Sequence, residues 1–298
     1  MTRVALASVL ITLAMMAGRA QQPSNQGRRV LISADMEGVT GVVQPAQLGP
    51  AGFDYAFARE LMTAEVNAAI DGAADADFRE VVVADSHGNG QNLLLDRLPA
   101  HVRVVRGFPR PLNMMQGIEK GFAAAIFIGY HGSEYLADAV RAHTFSGTKL
   151  LGVKMNGSEI PEGIFNAAIA GQFDVPVTFV SGDRAAVEQL QKELPWVEGV
   201  VVKEGLGMNS TITNTPAHNR AAIREGVGRS LQHLGSMKVY RVGAPIDFEI
   251  GFKLTLDAER ASFIPGLTRT SAHTVRGSFK SVLEIAKLVQ VVTAFETP

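Results

Sequence analysis

Three short apolar runs in this chain each end on residues that an apolar core cannot hold unaided. Val30-Leu31-Ile32-Ser33-Ala34 runs into Asp35-Met36-Glu37-Gly38, Val81-Val82-Val83-Ala84 into Asp85-Ser86-His87, and Ala125-Ile126-Phe127-Ile128 into Gly129-Tyr130-His131. His143 follows shortly, and Glu162 stands in a Pro161-Glu162-Gly163 turn. Near-continuous apolar strands are buried on both faces, which is how a parallel sheet covered by helices reads. Carboxylates and imidazoles at the ends of such strands are costly to bury unless a cation neutralises them. The chain has seven histidines, and three fall in this pattern.

Strand and helix alternate along the chain. Residues 53–74 have helical periodicity, with Phe57, Leu61, Ala64 and Ala68 among the helix formers and Glu60 and Glu65 at polar positions. Short strands are expected at 102–105, 151–155 and 175–180, and helices at 163–172 and at 184–194, where Pro195 stops the helix. After Gly199 the texture changes. Residues 205–215 are Gly/Thr/Asn-rich and read as a loop, 217–234 as a helix, 237–256 as half-buried antiparallel strands, and 281–294 as a closing helix. The expected fold class is therefore α/β, a mainly parallel sheet covered by helices on both faces, with a smaller C-terminal α+β portion. The expected organisation is a leader at 1–20, a linker at 21–28, a metal-binding core at 29–198 and the smaller portion at 199–298, within one catalytic unit.

The N-terminus predicts export. A basic start at Arg3 precedes a run from Val4 to Ala17 that is apolar apart from Ser8 and Thr12, and Gly18-Arg19-Ala20 offers small residues for cleavage after Ala20. The run falls short of the roughly 20 apolar residues that span a bilayer. The expected location is periplasmic or extracellular. With no cysteine in the chain, a lipidated form and a disulfide framework are both excluded. Cleavage removes Arg3 and Arg19 and no acid, so 28 basic residues become 26 against 29 acidic, a net charge of −3. No basic stripe points to nucleic acid, and no further segment is long and apolar enough to span a membrane.

Asp35 and Glu37 are two apart, so an extended strand would place them on one face. With His87, His131 and Glu162 they make a sulfur-free nitrogen and oxygen set. Such a set suits zinc, manganese, cobalt or iron and is too rich in histidine for magnesium or calcium. Five ligands exceed the three that a catalytic tetrahedral zinc takes from the protein, whereas two ions sharing a carboxylate would use them all. Asp85 either orients a ligand histidine or caps a helix, with the first preferred. Gly88-Asn89-Gly90 reads as a turn presenting His87, and Ser86 lacks the surroundings of a nucleophile elbow. His101, His218 and His233 read as structural or exposed, and Met114, Met115 and Met155 as core.

The blocks Ser33-Ala34-Asp35-Met36-Glu37-Gly38-Val39-Thr40-Gly41, Asp85-Ser86-His87, Gly129-Tyr130-His131, Ala142-His143-Thr144 and Asn156-Gly157…Glu162…Asn166 occur in one order and spacing. In that order the chain resembles the zinc-dependent D-aminopeptidase family, from about Arg29 to the C-terminal helix. The resemblance implies two zinc ions per chain, with manganese or cobalt as alternatives. It implies that Asp35 bridges them, that Glu37 and His131 complete one site and His87 and Glu162 the other, and that His143 is the catalytic residue. It further implies a large ring-shaped homo-oligomer that cleaves N-terminal D-residues such as D-Ala from short peptides. Three departures stand out: a longer segment between His131 and His143 that adds Glu134, Asp138 and Arg141, Pro161 where the family has glycine, and the export leader. The competing classes are a periplasmic solute- or metal-binding protein and a related metal-dependent amidase. A binding protein has no use for a sixth group such as His143, and turnover of a D-Ala peptide separates it from an enzyme.

Overall fold

The computed structural model of the chain describes residues 28–295; the leader and the linker as far as residue 27 lie outside them. In chain order the elements are β1 (Arg29–Ala34), α1 (Tyr55–Asp75), β2 (Glu80–Asp85), β3 (Arg103–Val105), β4 (Ala124–Tyr130), β5 (Leu150–Met155) and β6 (Ser158–Glu159). Then come α2 (Glu162–Gly171), β7 (Val177–Asp183), α3 (Arg184–Glu193), β8 (Glu198–Gly207), β9 (Ser210–Thr213) and α4 (Pro216–Gln232). The chain closes with β10 (Ile246–Phe252), α5 (Thr255–Ser262), β11 (Leu267–Arg269), β12 (Thr274–Phe279) and α6 (Val282–Thr293).

These strands make two sheets. The first has the order β3-β2-β1-β4-β7-β8-β9, parallel throughout except for β9. The second is antiparallel, in the order β11-β12-β10-β5-β6. The pleat of the parallel sheet sorts its side chains between two cores. Val30, Ile32 and Ala34 of β1 join Ala124, Ile126 and Ile128 of β4 beneath α1 and α4. Leu31, Ala125 and Phe127 join the opposite core with α2, α6 and the second sheet. Helix α2 is buried along its whole length, and its Phe165 ring meets Phe248 of β10 at 6.3 Å. The expected α/β class with helices on both faces of a mainly parallel sheet is borne out.

Three local expectations need correction. Residues 205–215 are not a loop, because β8 continues to Gly207 and returns as β9. This hairpin is the edge of the sheet and leaves Leu206 and Ile212 exposed, so it carries no burial pattern for the sequence to show. Of residues 237–256 only β10 is a strand, and there the alternation of buried and half-buried residues is complete. The strand expected at 175–180 runs from Val177 to Asp183. The division at 198/199 passes through β8, and the second sheet takes β5 and β6 from one side of it and β10 to β12 from the other.

Candidate metal centre

Open parallel sheets collect ligands outside the carboxyl ends of their strands. Here Asp35 directly follows β1, His87 lies two residues past β2, His131 directly follows β4, and Glu162 opens α2. Two glycines explain how tightly these ends meet. A Cβ on Gly38 would lie 1.9 Å from the Tyr130 carbonyl oxygen, and one on Gly129, at φ +71°, would lie 2.3 Å from that of Asp35. The Gly38 amide donates to the Gly129 carbonyl at 2.8 Å, which brings the Asp35 turn against the end of β4. Asp35 and Glu37 therefore share one side through this turn, not through an extended strand as the spacing alone suggests.

All six selected residues come together. His87 Nδ1 is 2.8 Å from Glu37 Oε2 and 3.3 Å from Asp35 Oδ1. His131 Nε2 is 3.4 Å from Asp35 Oδ2 and 3.8 Å from Glu162 Oε2. His143 Nε2 is 3.8 Å from Glu162 Oε1, and its ring stacks on that of His131 at 4.2 Å. Ligand atoms of Asp35, Glu37 and His131, and those of His131, His143 and Glu162, each gather within 4.8 Å. His87 stands closest to Glu37 and Asp35 in this arrangement.

Each imidazole is set by a backbone carbonyl on its far nitrogen. His87 Nε2 donates to Leu48 at 2.7 Å, His131 Nδ1 to Gly132 at 3.0 Å, and His143 Nδ1 to Arg141 at 2.8 Å. With that nitrogen donating, the other nitrogen of each ring faces the carboxylates, where its deprotonated form would offer a lone pair to a metal. Glu37 Oε2 is buried with no hydrogen-bond donor although His87 Nδ1 is 2.8 Å away. A pair this close needs a proton or a metal cation between its atoms. No Lys or Arg side chain pairs with Asp35, Glu37 or Glu162 among the described residues. The donor set thus fits divalent metal, and zinc in particular.

The buried groups shift one another's affinity for protons. Burial, with Glu37 beside it, pushes Asp35 up to about 6. Burial, reinforced by Asp35 and opposed by His143, pushes Glu162 up to about 8. Burial works against ionised Glu37 too, but His87 prevails and holds it well below the usual range. Burial and then His143 press His131 down to about 3, so it stays neutral.

The centre opens into a cavity of about 630 Å³ lined by Asp35, Glu37, His87, His143 and Glu162. Phe108, Phe145, Met208 and Val289 of α6 add apolar wall. Asp85 does not touch a histidine or cap a helix. Its carboxylate accepts the Asn92 and Leu93 amides at 2.6 and 2.8 Å, and the Asn92 side chain donates to the His87 carbonyl at 2.7 Å. Asp85 thus holds the His87 turn through Asn92. Lys203 and Glu65 were not legible as site residues. Lys203 Nζ, wholly buried, donates to the carbonyls of Glu37, Val39 and Val42, and Glu65 accepts the Thr40 amide at 2.9 Å. The one clue was a lysine directly after the apolar run Val200-Val201-Val202.

A parallel α/β sheet with a buried carboxylate–histidine cluster at its carboxyl end suits a metal-dependent enzyme. Similarity to known proteins narrows this. The sequence pattern of the D-aminopeptidase family, peptidase family M55, spans residues 28–291, and the chain belongs to that family. It is 29% identical over 269 residues to a D-aminopeptidase of Bacillus subtilis (strain 168), covering 89% of this chain and 96% of that one. Its fold matches the solved structure of the zinc-dependent D-aminopeptidase DppA from Bacillus subtilis, a self-compartmentalizing protease, with a TM-score of 0.85 and 27% identity. That match covers 89% of this chain and 96% of DppA. The family resemblance drawn from the sequence blocks is borne out.

Proposed function

We propose that this chain is an exported dinuclear zinc aminopeptidase that releases N-terminal D-residues, D-Ala among them, from short peptides. The carrying observation is the set of three imidazoles, each anchored on a backbone carbonyl and aimed at three buried carboxylates that no Lys or Arg neutralises among the described residues. Asp35, Glu37, His87, His131 and Glu162 would hold two ions, with the two oxygens of Asp35 facing His87 and His131 respectively. Bound there, the metal would polarise the scissile carbonyl and ease ionisation of the attacking water.

The protein's own part in the chemistry falls to His143. It is the least buried of the three imidazoles, lines the cavity, and presents Nε2 with a free lone pair. It would take the proton from the attacking water at Nε2 and return it to the leaving amine, with the Arg141 carbonyl steadying the charged ring at Nδ1. Export rests on the pattern of residues 1–20, and assembly into a closed ring rests on the likeness to the self-compartmentalizing DppA.

The test is an assay of residues 21–298 with zinc or manganese against matched D- and L-alanyl peptides. Release of D-alanine in preference to L-alanine is expected, and failure to cleave either peptide overturns the reading. Light scattering at micromolar concentration should show a large oligomer; a stable monomer would contradict the ring.

A further inference from the structure

The segment between β4 and β5 carries a cation that the chemistry above leaves unused. Among the described residues Arg141 is the one Lys or Arg that lines the cavity, whose acidic lining residues are Asp35, Glu37 and Glu162. Its Nη1 donates to the amide oxygen of Asn209, a neutral partner, at 2.6 Å. Its Nε is buried with no hydrogen-bond partner. The guanidinium is therefore held in place without having its charge or all its donors satisfied. A buried donor of this kind is unfavourable unless something else occupies it.

The backbone at Arg141 is fixed from both sides. Its φ is +55°, a region that a residue with a long side chain seldom adopts. The Arg141 amide donates to the Met208 carbonyl at 3.0 Å, in the turn between β8 and β9. Its carbonyl accepts the Nδ1–H of His143. One residue thus orients the imidazole with its backbone and places a guanidinium in the same cavity with its side chain.

The chemistry of the substrate says what that guanidinium meets. A short peptide cut at its first bond has an ammonium on the acyl side of the reacting carbonyl and a free carboxylate on the leaving side. A planar fork of donors suits the carboxylate, which arginine binds in bidentate fashion. We propose that Arg141 is a specificity-determining residue that binds the C-terminal carboxylate of the substrate. This rests on the aminopeptidase function proposed above. Chain length is then selected by the distance between the centre and a fixed cation, in addition to any sieving by assembly.

The test compares D-alanylglycine with its C-terminal amide, using the zinc-loaded wild type, R141Q and R141K. In the wild type, amidation should raise KM about ten- to hundredfold, the usual worth of a charge-assisted hydrogen bond, and change kcat much less. In R141Q the KM for the free acid should rise to meet that of the amide, and R141K should keep part of the preference. Equal KM values for acid and amide in the wild type, or an undiminished preference in R141Q, would overturn the proposal. If R141Q does not fold, the wild-type and R141K comparison decides it. Wild-type enzyme that hydrolyses neither compound would remove the aminopeptidase function and this proposal with it; turnover of both without distinction removes this proposal alone.

Discussion

The ammonium of Lys203 on β8 donates to the backbone carbonyl of Glu37, across 166 residues of sequence. The same Nζ reaches the carbonyls of Val39, at 2.9 Å, and Val42. One buried cation thus gathers the turn that carries two of the proposed ligands, while Glu65 of α1 accepts the Thr40 amide from the other side. Contacts within the protein thus hold the acidic turn from both sides. Burial lowers Lys203 to about 8, against the pull of Asp183 and Glu65, so it is charged at neutral pH and below.

Lys203→Met should therefore cost more than a surface lysine would. Three buried acceptors lose a charged donor at roughly 1–3 kcal/mol each, so unfolding free energy should drop by about 3 kcal/mol or more. Lys203→Arg should recover part of it. Chemical denaturation measures the loss, and a parallel zinc titration should show weaker binding in the Met variant. Wild-type stability in Lys203→Met would show that the turn does not depend on this contact.

His143 lies outside the five proposed ligands yet stacks on one of them. His143→Ala should keep its fold and metal content and lose about a hundredfold or more in kcat, with a smaller change in KM. Metal analysis and steady-state kinetics on one preparation check this. Loss of metal would make His143 a ligand or the support of one, and near-normal turnover would remove it from the chemistry.

Metal binding should release protons. Without metal, the Glu162 carboxyl keeps its proton up to about pH 8 and Asp35 up to about 6, both raised first by burial. His87, although burial opposes its charge, is carried well above its ordinary value by Glu37 and Asp35. A cation must displace each of these protons, so affinity should rise with pH towards about 8 and fall as pH drops through that value and then through 6. His131, pressed down to about 3, is already neutral and contributes none. Calorimetry in buffers of different ionisation enthalpy near pH 7 should report net proton release on zinc binding. Proton-independent binding of equal strength at pH 6 and 8 would contradict the assignment.

What could be read from the sequence follows from where the physics is local. Apolar runs that are buried on both faces announce themselves, and so do charged groups at their ends, which is why Asp35, Glu37, His87 and His131 were legible. Gly38 and Gly129 are required by backbone contacts under 2.5 Å, so the blocks around them keep a recognisable form. The edge hairpin of β8 and β9 was not legible because an exposed strand has no inside to encode. Nor were the contacts of Lys203 with Glu37 and of Arg141 with Asn209, since each joins residues distant in sequence.

The dinuclear centre is tested most directly by stripping the purified protein with a chelator and titrating zinc back while D-alanyl peptide turnover and bound metal are followed together. Turnover should vanish on stripping and return to a plateau at two zinc ions per chain. A plateau at one ion, or hydrolysis that persists in the stripped protein, would contradict a two-metal centre built from Asp35, Glu37, His87, His131 and Glu162.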